Sequence, residues 1–207
     1  MKFLPGSASV RIWCALLFSA VLQLASKPAA QAQADSLNAS AVRFGLGAGL
    51  HDGARESGLG LVYQLGWQKS YGAKGKFRLN PNLVYGSFSA NAIDDTRDQF
   101  YQLSSLGLHL HYDIIRINAV SVVVSGGAFV AYTRGLLGTG GDPGAARSEY
   151  FRKAYVGGLG SAGIRINPLR SRIAYELRPV TISSGTNEFL LVYPMLNLEF
   201  KLGKLPK

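Results

Sequence analysis

The stretch Ala41-Val42-Arg43-Phe44-Gly45-Leu46-Gly47-Ala48-Gly49-Leu50 decides the fold. Val42, Phe44, Leu46, Ala48 and Leu50 fall on one side of a period of two, and Arg43, Gly45, Gly47 and Gly49 on the other. Such a period belongs to a strand with one apolar and one polar face, whereas a helix repeats every 3.6 residues. Glycine weakens a strand interior, so three glycines on one face point to large side chains arriving from elsewhere.

The same alternation recurs along the chain. Leu59, Leu61, Tyr63, Leu65 and Trp67 alternate with Gly60, Val62, Gln64, Gly66 and Gln68. Phe77, Leu79, Leu83 and Tyr85 oppose Arg78, Asn80, Asn82 and Gly86, with Pro81 requiring a bulge at mid-strand. Leu106, Leu108, Leu110 and Tyr112 oppose Ser105, Gly107, His109 and His111. Val122, Val124, Ala128, Val130 and Tyr132 oppose Ser121, Ser125, Gly127 and Thr133, a contrast blurred by Val123 and Phe129. The sixth segment sets Val156, Ala162, Ile164 and Ile166 against Gly157, Ser161, Gly163 and Arg165. The seventh sets Ile173, Tyr175 and Leu177 against Arg172, Glu176 and Arg178, and the eighth Leu196, Leu198, Phe200 and Leu202 against Asn197, Glu199 and Lys201.

Eight amphipathic strands of about ten residues make the smallest transmembrane barrel, all-β, antiparallel and up-and-down. With the N-terminus on the inner side, residues 51–58, 89–98, 134–150 and 183–188 form the outer connections, and 69–75, 113–120 and 167–171 the inner ones. Aromatic residues gather near the expected strand ends: Trp67, Tyr71, Phe77, Tyr112 and Phe200 at the inner level. Tyr85, Phe100, Tyr101, Tyr132, Tyr150, Phe151 and Phe189 lie at the outer level. Two such girdles suit the interfaces of a bilayer.

The chain of 207 residues begins with Lys2, Arg11 and the apolar run Ile12–Ala25, followed by Ala32-Gln33-Ala34. A positive start, a short apolar core and a small-x-small site make residues 1–34 a signal peptide, too short for the roughly 20 residues of a spanning helix. Residues 35–40 then form a lead-in, 41–202 the barrel and 203–207 a tail. The single cysteine, Cys14, leaves with the signal peptide, so the mature chain has neither disulfide nor lipoprotein anchor. The formal charge of +10 is scattered over turns and strands rather than gathered in a stripe, which with export argues against nucleic acid.

Alternation alone also fits a soluble exported ligand-binding barrel, which would bury the leucines and wet the charges. In a membrane, each lipid-facing Arg or Lys at mid-depth costs about 2–4 kcal/mol. Arg43, Arg78, Arg165, Arg172, Arg178 and Lys201, with Glu176 and Glu199, are therefore assigned to the lumen as a charge network. Trp67, Tyr71, Phe77, Tyr112, Tyr132 and Phe200 are assigned to the lipid interfaces.

The signal peptide, the eight amphipathic strands and the closing Asn197-Leu198-Glu199-Phe200-Lys201-Leu202 resemble the small bacterial outer-membrane β-barrels typified by the OmpA-like transmembrane barrel. The resemblance implies a bacterial outer-membrane location, lipid neighbours including lipopolysaccharide, and insertion by the barrel assembly machinery. It also implies structural, adhesive or small-pore roles. Such chains often end on an aromatic residue, whereas Phe200 is followed by KLGKLPK.

No motif carries chemistry. Gly158-Leu159-Gly160-Ser161-Ala162-Gly163 fits G-x-G-x-x-G but falls within a strand, where a dinucleotide site needs a strand, a turn and a helix. His109 and His111 share a face with Asp113 nearby as the third zinc ligand such a site would need; the reading as two polar lumen residues is preferred. His51 with Asp52 and Ser184 is the one triad a lipid-modifying hydrolase would use, and no spacing pins it. The expectation is a non-enzymatic, monomeric barrel without cofactor or metal, its lumen shut by ion pairs, with a narrow anion-preferring pore as the alternative.

Overall fold

The computed structural model describes residues 40–72, 75–89, 99–140, 147–168 and 171–202. The segments read as signal peptide and tail, and all of the lead-in but Ser40, lie outside the described residues. The described chain forms eight strands: β1 (Ser40–Asp52), β2 (Ser57–Tyr71), β3 (Phe77–Ser89), β4 (Phe100–Ile117), β5 (Val120–Gly140), β6 (Arg147–Ile166), β7 (Ile173–Gly185) and β8 (Leu190–Leu202). Each pairs antiparallel with its neighbour in sequence, and β1 pairs β8 from Ser40↔Leu202 to Asp52↔Leu190, closing the ring. Closure leaves the barrel wall without a free edge, so the backbone is satisfied within the sheet.

Side chains alternate across that wall as the period of two requires. Arg43, Gly45, Gly49 and His51 of β1 point inward, and Val42, Phe44, Leu46 and Leu50 outward. The leucine, valine and isoleucine face is outermost all round the barrel, from Leu61 and Leu65 through Leu106, Val130 and Ile164 to Leu177 and Leu196. Val123 and Phe129, which blur β5 in the sequence, point inward and are buried.

Four details depart from the sequence reading. Pro81 sits in β3 without a bulge: Gly66↔Asn82 and Lys69↔Leu79 keep one register on either side of it. The missing proline donor leaves a local gap in the β2–β3 ladder, while Pro81↔Leu108 stays paired in β3–β4. The register shifts occur instead at Asp113/Ile115 in β4, at Gly138/Gly140 in β5 and between Arg178 and Thr181 in β7.

The expected outer loop at 134–150 is largely strand, because β5 and β6 continue pairing to Gly138↔Ser148. Pairing here overrides the glycine-rich composition that suggests a loop. The inner connection expected over 113–120 shrinks to a two-residue turn between β4 and β5, with Asn118 at φ 52°. Asparagine is among the few side chains that tolerate that left-handed backbone.

Candidate functional site

The lumen gathers the chemistry-bearing side chains, in two layers. Near the inner mouth, β1, β3, β6 and β7 contribute Arg43, Arg78, Arg165 and Arg178, while β4, β7 and β8 contribute Asp113, Glu176 and Glu199. Glu176 Oε1 accepts from Arg43 at 2.6 Å and from Arg178 Nε at 2.6 Å, and its Oε2 from Arg78 at 3.3 Å. Glu199 accepts from Arg165 at 2.6 and 2.9 Å through one oxygen and from Arg43 and Arg78 at 3.3 and 3.2 Å through the other. Asp113 Oδ1 accepts from Arg78 at 2.7 Å. Gln68 and Asn197 fill the gaps, accepting from Arg43 at 3.1 Å each.

Every one of these groups is removed from water. Buried ions are tolerated when paired and hydrogen-bonded, and each carboxylate here has at least one guanidinium at hydrogen-bond distance. The small residues on the inward face make the space: a methyl group added at Gly45 would lie 2.6 Å from Asn197 Oδ1 and 2.7 Å from Met195 Sδ.

Two residues assigned to this network lie elsewhere. Arg172 is exposed in the inner connection just before β7, so it cannot share the lumen face of Glu176. Lys201 is half-buried at the inner rim, where its Nζ donates to the carbonyls of Pro168 at 2.8 Å and Ser171 at 2.9 Å. Conversely, Asp113 belongs to the network although the reading placed it only beside the histidines. Its inward parity with His109 and His111 on β4 is the signal that finds it.

The second layer, toward the outer mouth, is aromatic and apolar. Phe88, Tyr101, Leu103, Phe129, Tyr155, Phe189, Leu191 and Tyr193 form one buried cluster, with Phe151 packed against it. Tyr101, Phe151 and Phe189 therefore do not join the outer girdle: Tyr101 is 0% and Phe189 2% exposed, inside the barrel. Strand-end position fixes their height but not their side, which the parity of each strand decides. The interfacial residues Trp67, Tyr71, Phe77, Tyr132 and Phe200 do face outward. Tyr112 packs against Phe77, their ring centroids 4.7 Å apart and their planes tilted by 40°.

His51 enters this aromatic layer rather than an outer loop. Its ring lies 4.9 Å from that of Phe189 and 5.4 Å from those of Phe88 and Tyr101, and Nδ1 is hydrogen-bonded to the Tyr101 hydroxyl at 2.9 Å. Ser184 and Asp52 are exposed on the outside, so the three candidate triad residues do not converge. Glu56, in the β1–β2 connection, folds inward and accepts from the hydroxyls of Thr133 at 3.0 Å and of Tyr155. His109 and His111 are lumen residues, ring centroids 6.0 Å apart, with Asp113 engaged by Arg78. Gly158–Gly163 lies within β6, with no helix to follow it into a dinucleotide site.

Comparison with known proteins adds the fold and no more. No family model matches the sequence, and no curated protein does either. Neisserial surface protein A superposes with a TM-score of 0.54 at 12% identity, over 79% of this chain and 97% of the other. The attachment invasion locus protein Ail of Yersinia pestis gives 0.52 at 12% identity, over 80% and 99%. The chain has the fold of a small outer-membrane β-barrel. In this barrel the apolar face is the outer one and the ionic groups are inside, as the charge cost demands.

Proposed function

We propose that the protein is a non-enzymatic outer-membrane barrel with a closed lumen and a structural or surface-interaction role. One observation carries the reading: among the described residues, the large inward side chains are buried in both layers of the lumen. An ion-paired layer lies below and an aromatic layer above, and the cavity lined by Asn82, Ser105, His109 and Phe189 measures about 10 Å³. That is room for about one water molecule, far too little for a conducting path. The apolar exterior with its aromatic rims supports a lipid surrounding, and lipopolysaccharide is the lipid such a barrel meets in an outer leaflet. Export by a signal peptide ending at Ala34, insertion by the barrel assembly machinery and a monomeric state complete the reading.

The test is fractionation of the expressed protein followed by planar-bilayer recording. The reading expects outer-membrane recovery and a silent bilayer. Stable single-channel steps from wild-type protein would overturn closure, and recovery in the soluble fraction would overturn the membrane assignment. One observation favours the pore as second reading: the inner layer of the lumen holds four guanidiniums against three carboxylates, the fourth buried carboxylate, Glu56, standing at the outer mouth. If steps appear, that excess predicts anion preference.

A further inference from the structure

On the outward face of the upper barrel, one ladder rung crosses four strands through Ser87↔Gln102, Gln102↔Arg134 and Arg134↔Arg152. Arg134 and Arg152 are directly opposed on β5 and β6 and both are exposed. Like charges facing across a strand pair repel. Among the described residues neither arginine has an ion pair or hydrogen bond to relieve that repulsion; the acid nearest Arg152 in sequence, Glu149, pairs with Arg55 at 3.3 Å. Two opposed guanidiniums without relief call for an anionic partner.

Their height identifies it. From Val122 to Tyr132, the outward face of β5 carries no charge. Those ten residue steps rise about 25 Å along the normal at a typical tilt, the height of the apolar band of such a barrel. Arg134 and Arg152 stand one rung above Tyr132, flanked on the next outward rung by Phe100, Leu136 and Tyr150. Arginine recognises phosphate oxygens with paired donors, and two opposed arginines are neutralised together by one dianionic group.

Below them the lipid-facing surface dips. Gly126, Ala128, Gly158, Gly160 and Ala162 point outward on β5 and β6, through Ala128↔Gly158, Gly126↔Gly160 and Val124↔Ala162. At Gly160 the nearest atom to an added methyl is 4.0 Å away, and at Gly126 3.7 Å. Leu108 and Leu110 wall this trench on the β4 side, Val180 and Ile182 on the β7 side.

We propose that Arg134 and Arg152 bind a phosphate of an outer-leaflet phosphorylated glycolipid, whose acyl chain lies in the trench beneath. The inference rests on the outer-membrane reading above. The test uses the refolded full barrel in detergent, its folding verified by heat-dependent gel migration, with native mass spectrometry reading lipid adducts. The probes are bisphosphorylated lipid A and the same lipid stripped of phosphate. Wild type binds the phosphorylated form at least tenfold more tightly than the stripped one. The R134Q/R152Q double variant loses that preference, while R147Q, at the ribbon tip, keeps it. Gly158→Leu, which fills the trench and spares the arginines, weakens adducts of both lipids.

Equal binding of the two lipids by wild type, or unchanged preference in the double variant, overturns the phosphate site. Unchanged binding by Gly158→Leu overturns the chain seat. A protein that fails to fractionate with outer membranes sinks the underlying reading instead, so the two failures are separable.

Discussion

Glu176 holds three arginines at once, Arg43 and Arg178 through one oxygen and Arg78 through the other. Removing its charge leaves guanidiniums buried with fewer partners, a kind of change that costs about 3–5 kcal/mol. Glu176→Gln is therefore expected to lower the unfolding free energy of the refolded barrel, read from urea curves, by that amount without changing its shape, and a loss under about 1 kcal/mol would show that the pairs contribute little. Glycines test the interior and exterior separately. A methyl at Gly60 would meet the carbonyl oxygen of Ser87 and the Phe88 ring inside the barrel, whereas at Gly158, outside, its nearest atom is Gly127 O at 3.6 Å. Gly60→Ala is expected to cost about 3 kcal/mol or to prevent refolding, and Gly158→Ala to be neutral or stabilising by roughly 0.5 kcal/mol, both read from the same unfolding curves. At this scale the sequence reveals which residues face inward, because parity is local. It does not reveal which arginine reaches which glutamate, since Arg78 and Glu199 meet across the lumen from β3 and β8, five strands apart in sequence and three round the closed ring. Arg172 is misplaced for a related reason: the alternation extends back beyond the first residue of β7, where the chain has not yet entered the sheet.

The β1–β2 connection is an element whose role depends on one side chain. Gly53 N donates to Glu56 O at 2.7 Å, turning the chain so that the Glu56 carboxylate drops onto Thr133 of β5 and Tyr155 of β6. The connection thus straps the outer mouth to the far wall. Glu56→Ala removes the one oxygen, Oε1, that accepts from both hydroxyls and leaves the two short of a partner, at a cost of about 1–3 kcal/mol. Freed from its anchor, the segment is expected to be cut by trypsin after Arg55 several-fold faster, while the barrel core stays protected. Equal cleavage rates in the two proteins would show that Glu56 does not hold the strap. The inward turn of Glu56 is legible in retrospect, since it continues the even-numbered inward parity of Gly58, Gly60 and Val62 on β2. The β5–β6 ribbon is not legible in that way. Its glycines carry the composition of a loop, and only the paired partner strand reveals an extended hairpin.

The described barrel is apolar outside and ionic or aromatic within, an inversion of a soluble domain that makes lipid its natural solvent. Its depth in that solvent is fixed by the aromatic rims, and one residue reports it. The sequence has two tryptophans, Trp13 and Trp67, and cleavage after Ala34 would leave Trp67 alone. Trp67 is 46% exposed on the outward face of β2, paired with Val42, at the level shared by Tyr71, Phe77 and Phe200. An indole at that level sits among headgroups and glycerol, not among chain ends. In vesicles of phospholipid brominated along the acyl chains, the mature protein is expected to lose more Trp67 emission to bromines near the carbonyls than to bromines near the chain ends. Trp67→Phe supplies the blank. A reversed order would place Trp67 near the bilayer centre and shift the barrel by half its height, and the lower arginines of the lumen with it. Equal emission with and without bromine would place Trp67 in water and return the molecule to the soluble alternative, in which the leucine face would have to be buried against something other than lipid.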